Sequence, residues 1–291
     1  MIIAIYSRGL TSEQKTVLDQ LVESLQKYHV KILFFNALVE QYPSLKKIKD
    51  ASIFGGFKDL PVETKVFISL GGDGTILDAV TIVRNKGIPI LGINLGRLGF
   101  LASINSNEIT KAVDALFHDS FIVDHRSLLH IEGTREVFGK VPFGLNDFAI
   151  LKQDIAPMIN IHTYLNGELL NTYWSDGLIV ATPTGSTAYN LSCNGPLVFP
   201  HTSSFVITPI APHQLNVRPI VIPDDSIISF EVESRSNTFI CSLDARREIV
   251  RKEVQIAVRK EDFQVGIIRL EDSSFLTTLR NKFDWGVDKR N

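Results

Sequence analysis

The sequence predicts a two-domain protein, an α/β domain built on a parallel sheet followed by a mostly antiparallel β domain. Three observations carry that expectation. The 291 residues are about two domains' worth at roughly 150 residues each, and 44% of them are hydrophobic, enough to fill two cores. Over the first third, short β-rich apolar runs alternate with helical patterns, the grammar of strands and crossover helices. From about Phe121 the pattern becomes strands separated by turns. The domains are accordingly placed at residues 1–120 and 121–270, with the stretch of about 271–291 packing back onto the first.

Taken in order, Ile2–Tyr6 reads as the first strand. Thr11-Ser-Glu-Gln14 has the form of a capping box, and Val17, Leu18, Leu21, Val22 and Leu25 then recur at helical spacing. Val30–Phe35, Val66–Leu70 and Ile88–Ile93 are the next strands, with a helix over Thr75–Asn85 that Gly87 and Pro89 end. In the second region, Ile159–Leu165 and Leu169–Trp174 flank Asn166-Gly167, a pair that tolerates positive φ and so predicts a tight hairpin. Further strands are expected at Phe148–Leu151, Gly177–Thr182, Phe205–Ile210, Ile227–Val232, Phe239–Leu243 and Val254–Val258, and a last helix at Ser273–Phe283.

Composition excludes some classes of function. Thirty Lys and Arg against 32 Asp and Glu leave a formal charge of −2, without the overall basic field that gathers nucleic acid or anionic lipid. No apolar run approaches the ~20 residues that cross a bilayer. Met1-Ile-Ile-Ala-Ile-Tyr6 reads as a buried strand rather than a secretory leader, so a cytoplasmic location is expected. Cys193 and Cys241 have no Cys or His companions at metal-ligand spacing and are read as packing residues.

The most informative stretch is Ser69-Leu-Gly-Gly-Asp-Gly-Thr-Ile-Leu77, where a strand meets a helix. A helix N-terminus at the carboxyl end of such a strand offers free N–H groups to phosphate oxygens. Gly71, Gly72 and Gly74 let backbone approach a phosphate chain with no Cβ in the way, and Thr75 adds a hydroxyl. Asp73 is the odd member. A carboxylate in a phosphate cradle is repelled unless it faces a hydroxyl or a divalent cation, which points to phosphate chemistry at a hydroxyl. The plain alternative is a glycine turn with Asp73 capping the helix.

A second cluster runs through Trp174-Ser-Asp-Gly177, a strand, and Thr182-Pro-Thr-Gly-Ser-Thr-Ala-Tyr-Asn-Leu-Ser192. Hydroxyls and backbone N–H groups crowd around Pro183 and Gly185, a surface suited to polar nucleotide edges, with Tyr189 available for stacking.

Together these residues resemble the NAD kinase family, of the bacterial type. The resemblance rests on Gly71–Thr75, on Asn94-Leu-Gly-Arg-Leu-Gly-Phe-Leu101, on Asn146-Asp147, on Asp176 with Thr182–Tyr189, and on Ala211–Pro219, in order over about residues 66–250. It implies a Rossmann-like α/β N-terminal domain and a β-rich C-terminal domain, the architecture shared with diacylglycerol kinase-like enzymes. It also implies transfer of the γ-phosphoryl group of ATP, or of another donor, to the 2′-hydroxyl of NAD's adenosine ribose. A divalent cation such as Mg²⁺ and a homo-oligomer, tetramer or dimer, are implied as well.

By the same resemblance Asp73 is the proton acceptor, beside Gly74. Asn146 and Asp147 hold ribose and adenine, Asp176, Thr187, Ala188, Tyr189, Ser192 and Ala211 complete the NAD contacts, and Leu98 and Phe100 pack the adenine. Trp174 stands where relatives are often basic, Arg246 where many carry Gln, and Pro157 where some place a substrate contact. His213 is read as a turn histidine and the basic run from Arg246 to Lys252 as a solvated edge. Two rivals share parts of the pattern: a lipid or sugar kinase with the same glycine turn, and a non-catalytic NAD sensor. Thr182–Tyr189 and Asn94–Leu101 favour a dinucleotide over an acyl chain.

Overall fold

A computed structural model describes residues 1–153 and 157–284. The chain divides into two compact units, the first made of Met1–His125 and the chain from Val265, the second of Arg126–Gln264.

The first unit opens with strand β1 (Ile2–Tyr6), helix α1 (Ser12–Gln26), β2 (Lys31–Phe35), α2 (Asn36–Gln41), β3 (Ala51–Phe54), β4 (Thr64–Leu70), α3 (Asp73–Val83) and β5 (Ile90–Asn94). Short β6 (Ile104–Asn105) and α4 (Ile109–Phe117) follow. Helix α1 starts where the sequence says, because Thr11 accepts from the Gln14 amide while the Gln14 side chain accepts from the Thr11 amide. The strands pair in parallel in the order β3-β2-β1-β4-β5, and are near-continuous apolar runs because a parallel sheet is covered on both faces. Ile3, Ile5, Ile32, Phe34 and Ile68 join Leu18, Leu21 and Leu25 of α1 and Val113 of α4 in one core.

Strand β7 (Phe121–Gly133) passes from the first unit into the second after His125 and leads into β8 (Phe143–Gly144), β9 (Asp147–Leu151), β10 (Ile159–Leu165), β11 (Glu168–Ser175) and β12 (Gly177–Ala181). A single helical turn, α5 (Tyr189–Ser192), precedes β13 (Ser204–Ile210), β14 (Ile220–Pro223), β15 (Ile228–Glu233), β16 (Thr238–Leu243) and β17 (Arg246–Arg251). One antiparallel sheet runs β14-β13-β12-β9-β16-β17, and β10 pairs antiparallel with both β11 and β15. Alternate residues of the strands, such as Phe148 and Ile150, Leu178 and Val180, and Ile159 and Ile161, fill a common core. Asn166 and Gly167 adopt φ of +51° and +85°, both positive, as the hairpin between β10 and β11 demands. Strand β18 (Ile256–Leu270) leaves this unit and enters the first, where helix α6 (Phe275–Phe283) begins at a Ser274 cap.

The expected fold class is met. Several elements differ in detail: β3, α2, α4 and β14 were not anticipated, the basic run is the edge strand β17, and the strand expected at Val254–Val258 continues to Leu270. Among the described residues no helix is long and apolar enough to cross a membrane.

Candidate active site

Strands β1 and β4 are neighbours, Tyr6 opposite Ser69, although β2 and β3 lie between them in sequence. Strand order reverses there, and at such a switch point an open α/β sheet leaves a crevice beyond the strands' carboxyl ends. The glycine turn after β4 occupies that position. Gly71 has φ +152°, and a Cβ there would lie 2.2 Å from Thr75 Oγ1, so a side chain would block the turn that buries Thr75. Gly72 is the helix cap and stands exposed.

Asp73 opens α3, yet its side chain does not cap the helix. Oδ2 accepts from the Phe100 amide at 2.8 Å, and Oδ1 from the amides of Leu101 at 3.0 Å and Ala102 at 2.9 Å. A carboxylate offers about four lone-pair directions. Three are used here, and one on Oδ2 is left. The ring of Phe100 lies 6.3 Å from that of Phe275 and 5.9 Å from that of Phe283, with Lys282 Nζ over it at 5.6 Å. Leu98 is half-buried nearby in sequence.

In the second unit the entry to β9 and the turn after β12 are tied together. Thr182 donates its amide to the Asn146 carbonyl at 2.9 Å and its hydroxyl to the Leu145 carbonyl at 2.6 Å. A Cβ on Gly185 would come within 1.9 Å of the Asn146 carbonyl oxygen. The turn then continues through half-buried Thr187 and Ala188 to exposed Tyr189 and Ser192. Asp147 accepts from the Tyr189 backbone. Asn190, fully buried, bonds Ser186, Pro196 and Thr208 and so anchors the turn from beneath.

Sequence reasoning missed Asp244 as a positioning group. Its carboxylate accepts from the amides of Leu145 at 2.9 Å, Asn146 at 2.8 Å and Asp147 at 3.3 Å. It sits at φ +52° between β16 and β17, so the signal was an Asp in a hairpin turn. Burial, with the Asp244 charge second, pushes the Asp147 carboxyl up to about 7, against the opposing Tyr189 amide. Also missed was Arg8, directly after β1, which contacts the Gly74 carbonyl.

Asp176 pairs with Lys152 at 2.7 Å, and its charge, like that of Asp147, acts on the Tyr189 hydroxyl. Trp174 packs against His213 with ring centroids 4.0 Å apart and the planes tilted by 32°, and the His213 amide donates to the Trp174 carbonyl. Ala211 is exposed at φ +45°, and Pro157 is exposed. Thus the first unit gathers Gly71–Thr75 with the Phe100 segment, and the second gathers Asn146, Asp147 and the Thr182–Tyr189 turn.

Residues 15–121 match the ATP-NAD kinase N-terminal domain and residues 145–270 the ATP-NAD kinase C-terminal domain. The chain is 43% identical to an NAD kinase of Cytophaga hutchinsonii over 293 aligned positions that span all of both chains. It belongs to the NAD kinase family. An NAD kinase of Flavobacterium psychrophilum is 40% identical, again over both whole chains. The fold is that of yeast NADH kinase solved with NADH, at TM-score 0.86 and 23% identity over 99% of this chain and 89% of the other. It is also that of an Archaeoglobus fulgidus NAD kinase solved with ATP, at TM-score 0.73 and 24% identity over 98% of this chain and 99% of the other.

In this member of the NAD kinase family, the Arg246 side chain donates to the backbone carbonyls of Val141 and, at 2.5 Å, Phe143. The Asp147 shift has a stability consequence. A carboxyl raised in the folded state favours folding while it is protonated, and that contribution is lost as pH rises through about 7. Between pH 6 and pH 8 the loss is roughly 1–2 kcal/mol. Denaturant unfolding at the two pH values is expected to show that difference in the wild type and a smaller one in Asp147→Asn.

Proposed function

We propose that this NAD kinase transfers the γ-phosphoryl group of ATP to the 2′-hydroxyl of NAD's adenosine ribose, forming NADP, with Asp73 as the proton acceptor. The observation that carries the reading is the Asp73 carboxylate, fixed by three backbone amides and retaining a lone pair on Oδ2. A base held in this way loses little freedom when it takes the ribose proton; the hydroxyl oxygen bonds the γ-phosphorus as the bond from that phosphorus to the β–γ bridging oxygen breaks, and ADP leaves. Gly71, Gly72, Gly74 and Thr75 line the phosphates through the turn at the start of α3.

Asn146 and Asp147 hold the adenosine, Asp147 accepting from sugar hydroxyls. Tyr189, Thr187, Ala188 and Ser192 cover it, while Asp176, Ala211, Leu98 and Phe100 complete the NAD contacts. Trp174 already packs against His213, and Arg246 holds the Val141 and Phe143 carbonyls just ahead of the Asn146 segment. Mg²⁺ typically takes phosphate oxygens, waters and only one or two carboxylates. Such an ion would be held chiefly by the nucleotide's phosphate oxygens and by water beside the Gly71–Thr75 turn, since among the described residues no group of three or more His, Cys, Asp or Glu is placed to hold it. When bound it neutralises charge on the β- and γ-phosphates. Assembly into a homo-oligomer, dimer or tetramer, is part of the reading and is checked by light scattering.

The test is formation of NADP from NAD, read with an NADP-specific dehydrogenase, and of NADPH from NADH, each with ATP or polyphosphate and Mg²⁺, with diacylglycerol as a rival acceptor. NADP from NAD and ATP supports the reading, and phosphorylated lipid without NADP defeats it. A companion variant probes the amide cradle. A Cβ on Gly99 would lie 1.8 Å from Asp73 Oδ1, so Gly99→Ala must displace the carboxylate. Turnover is expected to fall about tenfold or more, with the melting temperature recorded alongside.

A further inference from the structure

The carboxyl end of β1 delivers Arg8 to the turn that carries Asp73. Its Nε and Nη2 fork onto Asp78 of α3, Nη2 to Oδ1 at 2.8 Å, and Nη2 also donates to the Gly74 carbonyl at 3.0 Å. The Tyr6 hydroxyl donates to Asp78 Oδ2 at 2.9 Å. Burial, and then the Asp78 charge, push that hydroxyl well above its ordinary range, so it remains a donor. A guanidinium carries five N–H donors in a plane. Three are engaged by Asp78 and the Gly74 carbonyl, and the guanidinium also bonds the Tyr6 oxygen, so the group is held on the Asp78 side and Nη1 is its least committed nitrogen.

That nitrogen is open and well placed. The Arg8 side chain is 53% exposed. A Cβ on Gly74 would stand 3.4 Å from Nη1, which sets that nitrogen against the residue next to Asp73. As a surface ion pair alone, Arg8 with Asp78 would contribute little to stability. As a cationic nitrogen with N–H groups directed away from Asp78, Nη1 suits a phosphate, whose oxygens accept charge-assisted hydrogen bonds.

We propose that Arg8 is a binding residue for the phosphate chain of a bound nucleotide, presented by Asp78, Tyr6 and the Gly74 carbonyl so that its Nη1 edge faces the ligand. The proposal rests on the phosphoryl-transfer reading above. Two sources share this chemistry, the triphosphate of ATP and the diphosphate of NAD.

Equilibrium binding of ATP, NAD and adenosine to the wild type, Arg8→Gln and Arg8→Lys separates them. Arg8→Gln is expected to weaken ATP or NAD about tenfold or more while adenosine changes less than about twofold. A larger loss for ATP assigns the edge to the triphosphate, and a larger loss for NAD to the diphosphate. Arg8→Lys keeps the charge without the fork and should fall in between. If both nucleotides stay within about twofold of wild type, or adenosine weakens as much as they do, the proposal is overturned. Should Arg8→Gln fail to fold, the same comparison made with Arg8→Lys decides between these outcomes. Binding is read without turnover, so an active Asp73→Asn enzyme would remove the base assignment and leave this measurement standing.

Discussion

Asp73→Asn is expected to lower turnover by about 10²-fold or more, with NAD and ATP affinities changed only a few-fold. Asparagine keeps the size of the side chain and one acceptor oxygen. That oxygen can still take the amides of Leu101 and Ala102, but the NH₂ group then faces the Phe100 amide, donor against donor. The proton acceptor and one of the three amide bonds are lost together. An unpaired donor costs about 1–3 kcal/mol, so a lowered unfolding free energy should accompany the kinetic defect. Single-turnover kinetics with saturating nucleotides isolates the chemical step. Turnover within about threefold of wild type would show that Asp73 does not accept the proton.

Gly185→Ala should be the most damaging of the glycine substitutions in the second unit. The added Cβ would lie 1.9 Å from the Asn146 oxygen, 2.4 Å from its carbonyl carbon and 2.8 Å from its Cα. All three are backbone atoms, and the carbonyl is already held by the Thr182 amide, so no rotamer change relieves the clash. Either the turn carrying Thr187–Tyr189 lifts away or the start of β9 moves. A loss of about 2–4 kcal/mol in unfolding free energy is expected, together with NAD binding weakened about tenfold or more, because Asn146 and the turn are displaced from each other. Gly56→Ala is the control for stability. Its Cβ meets nothing within 4 Å, and denaturant unfolding should change by no more than about 0.5 kcal/mol.

The contrast between these sites explains how much could be read in advance. The Gly71–Thr75 turn, the Thr11 cap and the Asn166-Gly167 hairpin are contacts within a few residues, governed by local dihedrals and short-range hydrogen bonds. They were legible. Helix α4 was legible too, through the Asn105–Glu108 capping box before it, and was overlooked. Strand β3, Ala-Ser-Ile-Phe, is too short to show a period and β17 reads Arg-Arg-Glu-Ile-Val-Arg, mostly charged; pairing with β2 and β16 makes them strands. The polar stretch Arg259–Gln264 likewise concealed the continuity of β18.

The order of residues alone set the chemistry on offer: a carboxylate inside a glycine turn, a hydroxyl-rich turn after a buried strand, and two domains' worth of core. Which groups serve them was settled in three dimensions. The amides that hold Asp73 come from 27 to 29 residues away, and the carboxylate of Asp244 reaches back 97 to 99 residues to hold Leu145–Asp147. Arg8 meets Asp78 across 70 residues because β1 and β4 became neighbours. Such partners are set by strand order and by the burial of whole sheets, quantities that depend on the entire chain, whereas a capped turn depends on a handful of adjoining dihedrals.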